Sequence, residues 1–206
     1  MTQSPMISLD ADTAVIVVDV QNDFTSPEGN LSVDDAESIL PVVNRLISDA
    51  GDTQATVIYT QDWHPERTPH FDIDGGVWPV HCVQHTWGAE FHRDLDVAPQ
   101  AAVVKKGVDG SDGYSGFSVR DPVSGESSDT ELGNLLQQAG ARRLVIVGLA
   151  GDVCVKETAL DGRRLGWEVV VPLSATRFVE LEEGDGQRAI DAMQAAGIEI
   201  IDDVTQ

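Results

Sequence analysis

Leu144-Val145-Ile146-Val147-Gly148-Leu149-Ala150-Gly151-Asp152-Val153-Cys154 reads as a buried strand running out into the first turn of a helix. Its opening is an unbroken apolar run, the pattern of a strand covered on both faces. Beyond Cys154, the segment from Val155 to Leu165 carries apolar residues at helical spacing. A strand feeding directly into a helix is the unit from which parallel sheets are built. It also puts a thiol on a first helical turn, where unpaired N–H groups and the positive dipole end favour a thiolate. A lone cysteine is more often inert core filler. Here, other strand ends supply what a nucleophile needs.

Working outward, five more strand-like runs recur: Ala14 to Val18, Thr56 to Thr60, Ala101 to Lys105, Glu168 to Pro172 and Ile198 to Ile201. Between the first two, Ile39, Val43, Leu46 and Ile47 keep helical spacing, with Pro41 tolerable in a first turn. Ser128 and Glu131 suggest a capping box ahead of Leu132, Leu135 and Leu136, and Gly140 reads as the stop. Ala189, Ile190, Met193 and Ala196 mark a last helix closed by Gly197. The alternation predicts an α/β fold, a doubly wound, six-stranded parallel sheet with helices on both faces, in one domain over residues 1–206. Ligands of such folds sit beyond the carboxyl ends of the strands. Two stretches break the rhythm and read as loops: 61–100, rich in His, Trp, Pro, Asp and Gly, and 107–128, dense in Gly, Ser and Asp.

The 206 residues include 35 acidic and 13 basic ones, a formal charge of -22, which argues against nucleic acid or an anionic membrane as partner. No apolar stretch approaches the length of a membrane span. With only Cys82 and Cys154, and no basic-then-apolar leader before the first strand, a reducing cytoplasm is expected.

Three strand ends carry chemistry. The first runs into Asp19, a carboxylate anchored by the sheet and aimed at the crevice. The third ends in Lys105-Lys106-Gly107, a cation that beside a cysteine and an aspartate would hold both anionic. Asp19, Lys106 and Cys154 could thus converge as acid–base partner, tuning charge and nucleophile. The second runs into Gln61-Asp62-Trp63-His64-Pro65, with His70 and His81 further on. Asp62 and His64 alternate as extended-chain neighbours and face one side. Four of the five histidines fall between positions 64 and 85, and one carboxylate with two or three imidazoles suits zinc, ferrous iron or manganese. His85 and His92 read as solvent-side or structural residues, and Cys82 as buried filler.

Taken in order, Asp19-Val20-Gln21-Asn22-Asp23-Phe24, Asp62-Trp63-His64-Pro65, Trp78-Pro79-Val80-His81-Cys82-Val83, Lys106-Gly107, Tyr114-Ser115-Gly116-Phe117 and Asp152-Val153-Cys154-Val155 resemble the isochorismatase-like cysteine hydrolases, and within them the nicotinamidase (pyrazinamidase) group. The resemblance spans nearly the whole chain. It implies Cys154 as nucleophile, Asp19 as proton-transferring carboxylate and Lys106 as third member of a triad. It implies one divalent metal, zinc first with iron or manganese as alternatives, held by Asp62, His64 and His81, with His70 matching a fourth ligand of some members. Phe24, Trp78 and Tyr114 match aromatic pocket positions, and a cis peptide before Ala150 would turn the Ala150 and Cys154 N–H groups toward an oxyanion.

The implied activity is hydrolysis of nicotinamide to nicotinate and ammonia through a thioester, in NAD salvage, by a small-molecule enzyme that could also form homo-oligomers. Two positions depart from the pattern: Gly151 replaces a usual threonine, and Val153 replaces a frequent tyrosine or histidine. Their effect falls on the polarity of the pocket. The rival readings are a related hydrolase of another amide or carbamoyl substrate, which need not keep the metal cluster, and a non-catalytic metal-binding protein, which need not keep the triad.

Overall fold

The computed structural model describes residues 7–202, Pro99 excepted. Every residue of strand β1 (Thr13–Val18) is buried, because both of its faces are covered. On one face, Val15, Val17, Tyr59, Val145 and Val147 pack against Val43, Leu46 and Ala50. On the other, Ala14, Ile16, Val18, Leu144 and Ile146 pack against Leu132, Leu136, Val155, Ala159 and Met193. This two-sided burial is why the strands read as continuous apolar runs. Each fully buried Val, Ile or Leu contributes about 1.5–3 kcal/mol.

In chain order, β1 is followed by the single turn α1 (Asn22–Thr25), α2 (Leu40–Thr53), β2 (Thr56–Asp62), β3 (Ala102–Lys106), β4 (Ser118–Arg120), β5 (Ser127–Asp129) and α3 (Leu132–Gln138). Then come β6 (Arg143–Leu149), α4 (Cys154–Arg164), β7 (Glu168–Pro172), β8 (Thr176–Arg177), α5 (Asp185–Ala195) and β9 (Glu199–Ile201). The parallel sheet has the order β3-β2-β1-β6-β7-β9. Strand order reverses between β1 and β6, so a crevice opens there at their carboxyl ends. Gly148 sits at this junction with φ +109°, and a Cβ on it would meet the Val18 carbonyl oxygen at 2.1 Å. Only glycine lets the two central strands approach as they diverge.

Helix α4 begins at Cys154, and Gly140 and Gly197 follow their helices with φ of +71° and +81°, as the sequence implies. The differences lie in the loops. The sheet has a seventh strand: β8, two residues long, pairs with the end of β6. β2 continues through Asp62, and β3 runs one residue later than expected, to Lys106. Their register therefore sets Asp62 directly beside Lys106.

The Ser128–Glu131 capping box does not form. Ser128 lies in β5, which forms an antiparallel hairpin with β4, and the Leu132 N–H donates instead to Thr130 Oγ1. The hairpin could not be read because its residues are mostly polar and exposed, with no apolar alternation. The 61–100 stretch holds short 3-10 turns at Asp72–Asp74 and Trp87–Ala89, with isolated bridges His64 to Val83 and Phe71 to Trp78. Among the described residues no helix is long and apolar enough to cross a membrane.

Candidate active site

Lys106 is wholly buried at the end of β3. Its ammonium lies 2.7 Å from Asp19 Oδ2, 2.9 Å from Asp62 Oδ1 and 3.7 Å from Cys154 Sγ, and it also donates to the Gly113 carbonyl. Burying a lysine costs several kcal/mol unless its charge is met, and two carboxylates meet it here. Burial alone would lower the Lys106 pKa, but Asp19 and Asp62 outweigh it and hold the ammonium well above its usual value. Asp19 leaves β1 with φ +49°, and its second oxygen accepts a 2.6 Å hydrogen bond from Thr60. Gln21 fixes Asp62 by its backbone, donating to the Asp62 carbonyl and accepting from the Asp62 N–H.

Lys106 acts on Asp19 and Cys154 in the expected direction, favouring the charged form of each, but at the thiol burial outweighs it. Burial pushes the Cys154 thiol well up, and Asp19 and Asp62 reinforce that push against the pull of Lys106. Burial likewise raises Asp19. Asp62 behaves oppositely: burial pushes it up, but Lys106, His64 and His81 hold it well below the usual carboxylate range. The charge balance explains the outcome. With Asp62 and Asp19 ionised, one ammonium already faces two negative charges, and a thiolate would add a third. The resting thiol keeps its proton, with a carboxylate oxygen of Asp19 within 4.8 Å of Sγ.

Beside this cluster, nitrogen atoms of His64, His70 and His81 all lie within 4.8 Å of one another. Asp62 Oδ2 stands 3.7 Å from His64 Nε2 and 3.8 Å from His81 Nε2. The Nδ1 of His81 faces the Pro79 carbonyl at 2.7 Å and that of His70 faces Asp112 at 2.7 Å, which leaves both Nε2 atoms as acceptors. Burial and the neighbouring His64 lower the His70 pKa to about 4, so its ring is neutral at pH 7. Both ring nitrogens of His64 are buried without a hydrogen-bond partner. Its ring is seated on Gly107, where a Cβ would meet it at 2.5 Å. Orphaned, converging imidazole nitrogens beside a carboxylate fit a divalent cation. The alternative trio of Asp19, Asp62 and Cys154 does not, since the Lys106 ammonium already stands among its atoms.

Both clusters reach one cavity. Cys154, Asp62, His70 and His81 line it with Phe24, Trp78 and Tyr114. The Trp78 indole N–H donates to the Tyr114 hydroxyl at 2.9 Å, so these walls present mainly apolar surface. The Leu149–Ala150 peptide is cis, as the resemblance implies. Among the described residues the N–H groups of Ala150 and Cys154 have no hydrogen-bond partner, whereas those of Gly151, Val153 and Val155 are taken up by carbonyls. Asp152 does not face the chemistry; its carboxylate accepts the Val179 and Glu180 N–H groups. His85 is exposed against Trp63, and His92 is buried near Glu37, both away from the cavity.

Sequence reading missed Leu31, Gly113, Leu149 and Val179 in the cavity wall, and Thr60 and Asp112 behind it. Nothing local marks these residues. At Gly151 a Cβ would meet the Phe178 ring at 2.6 Å, and a Cβ on Gly186 would meet the same ring at 3.0 Å. Phe178 thus takes up the space beside the backbone where a larger residue 151 would project. Val153 lines the cavity itself.

A parallel α/β sheet with a buried cysteine, lysine and aspartate gathered at the carboxyl ends of its strands defines a class of hydrolase-like folds, and the family model for the isochorismatase domain matches residues 13–203. The chain belongs to the isochorismatase family. It is 36% identical to a nicotinamidase of Acinetobacter baylyi over 91% of each chain. Among solved structures it is similar to the pyrazinamidase of Pyrococcus horikoshii in complex with zinc, with a TM-score of 0.81 and 37% identity over 92% of this chain and 98% of that one. It is also similar to PnC1 from L. infantum in complex with nicotinate, with a TM-score of 0.84 and 33% identity over 96% of each.

Proposed function

We propose that this chain, acting as one domain, hydrolyses nicotinamide to nicotinate and ammonia through a thioester on Cys154. The observation that carries the reading is the shared cavity: Cys154, which stands beside Asp19 and Lys106, and Asp62, His70 and His81 line the same aromatic-walled space. The nicotinate-bound and zinc-bound relatives support it.

In this reading the substrate ring lies among Phe24, Trp78 and Tyr114. Asp19, whose burial raises its proton affinity, takes the thiol proton. The sulfur attacks the carboxamide carbon, and the unpartnered N–H groups of Ala150 and Cys154 hold the oxyanion, each donor being worth about 3 kcal/mol at comparable sites. Asp19 returns the proton to the departing ammonia as the C–N bond breaks. It then deprotonates the water that opens the thioester, releasing nicotinate and the thiol. Lys106 keeps Asp19 in place and offsets the negative charge of the site. A divalent cation, zinc first with iron or manganese as alternatives, would be held by Asp62, His64, His70 and His81 and would supply an electrophilic anchor for the ring nitrogen. The two free cysteines agree with a reducing cytoplasm, and the product suits NAD salvage.

Ammonia release from nicotinamide by the purified protein tests the reading. Turnover is expected, with loss on chelation and recovery on adding zinc. No ammonia from the zinc-loaded protein would overturn it. Thiol labelling adds a second check. Cys154 lines the cavity, whereas Cys82 is fully covered and its sulfur faces only the Gly88 carbonyl. Iodoacetamide should therefore modify Cys154 well before Cys82, as read by peptide mass spectrometry. Equal labelling of the two would remove the case for an accessible nucleophile.

A further inference from the structure

The three clustered histidines are supported in three different ways. His81 is held through Nδ1 by the main-chain carbonyl of Pro79, and His64 has no hydrogen-bond partner on either nitrogen. His70 alone is held by a charged side chain: Asp112 Oδ1 lies 2.7 Å from its Nδ1. Asp112 is itself fixed. Its N–H donates to the Arg120 carbonyl at 2.7 Å and its carbonyl accepts the Arg120 N–H at 2.9 Å, which ties it to the first strand of the β4–β5 hairpin. The next residue, Gly113, accepts from Lys106. The loop between β3 and β4 is therefore pinned on both sides at the point where Asp112 meets the imidazole.

We propose that Asp112 is a positioning residue for the metal site, its carboxylate holding His70 as the Nδ1–H tautomer so that Nε2 is presented toward His64, His81 and Asp62. The inference rests on the proposed role of His70 as a metal ligand. A carboxylate behind a ligating imidazole fixes ring orientation, raises the basicity of the ligating nitrogen and adds negative charge opposite the cation, effects that typically amount to 10–100-fold in metal affinity. It also gives the polar hairpin a function: it braces the residue that braces the ligand.

The test uses the full chain stripped of metal, with zinc affinity measured by competition against a fluorescent chelator. Asp112→Ala is expected to weaken zinc binding by about 10–100-fold. Asp112→Asn, which can still accept the Nδ1–H bond but lacks the charge, should fall between wild type and Asp112→Ala. In a His70→Ala background, which weakens binding by itself, Asp112→Ala should cost no more than about a further twofold, since residues acting through one another are not additive. Nitrogen-15 NMR of the metal-free protein should show His70 as the Nδ1–H tautomer, and a tautomer mixture in Asp112→Asn or Asp112→Ala. Because Asp112→Asn keeps the size and the acceptor, it preserves the test if the alanine variant folds poorly. Unchanged affinity in both Asp112 variants while His70→Ala binds weakly overturns the positioning role alone. Unchanged affinity in His70→Ala overturns the ligand role and the proposal with it. Full additivity of Asp112→Ala and His70→Ala would show that Asp112 acts on the site by another route, and so also overturns it.

Discussion

Cys154→Ala is expected to lower ammonia release from nicotinamide by on the order of 10⁴-fold or more, a barrier increase of about 5 kcal/mol, while the protein stays folded. Among the described residues Cys154 carries the only thiol at the carboxyl ends of β1, β3 and β6, and in the proposed mechanism Asp19 receives its proton, with Lys106 3.7 Å away. Without the sulfur, no covalent intermediate can form, and Asp19 can only assist water that is not positioned by a bond. The structural cost is small. Alanine is the best helix former at the first residue of α4, and the sulfur is a minor part of the surrounding core, so roughly 1 kcal/mol of stability is at stake. Unchanged circular dichroism together with residual activity within about tenfold of wild type would sink the covalent mechanism.

Benzamide should be a far poorer substrate than nicotinamide and pyrazinamide, by a factor of about 10⁴ in kcat/KM for the zinc-loaded protein. The three amides have nearly the same shape, and the walls formed by Phe24, Trp78, Tyr114, Leu149 and Val153 cannot tell a carbon from a nitrogen in the ring. The indole N–H, the one polar group of Trp78, is already committed to Tyr114. Discrimination then falls on the histidine group, which a pyridine or pyrazine nitrogen can approach as a ligand and a benzene edge cannot. A site built to bond a polar atom rejects the analogue lacking it, because its own groups are left unpaired. Chelation should remove the preference by lowering nicotinamide turnover toward that of benzamide. Comparable turnover of both amides by the zinc-loaded protein would mean that the ring is not anchored there, and would favour a broader amidase.

Asp19, Asp62, Lys106 and Cys154 were legible because each ends a buried apolar run, and a parallel sheet brings such ends together whatever the loops do. His64, His70 and His81 were legible from their crowding in one segment. Asp112 was not, because its meeting with His70 spans 42 residues and depends on a polar hairpin that leaves no periodic trace. Nor was β8, two residues long. The balance of charges at Cys154 was not legible for a more instructive reason. A lysine near a thiol favours the thiolate only if the lysine is not already shared, and the register that sets Asp62 beside Lys106 becomes visible only once both strands are extended by one or two residues.

β8 also reaches the loop ahead of Cys154. The Arg177 carbonyl accepts the Gly151 N–H at 2.7 Å, and the next residue, Phe178, is wedged between Gly151 and Gly186. A threonine at position 151 would bring its Cβ to 2.6 Å from the edge of that ring, so the aromatic and the glycine are a matched pair. A side chain at position 151 therefore requires the Phe178 ring to shift, and with it the contact that the ring makes beside Gly186. The departure that looks like a lost hydroxyl in one motif is thus tied to the placement of an aromatic ring 27 residues downstream, in a segment that no motif includes.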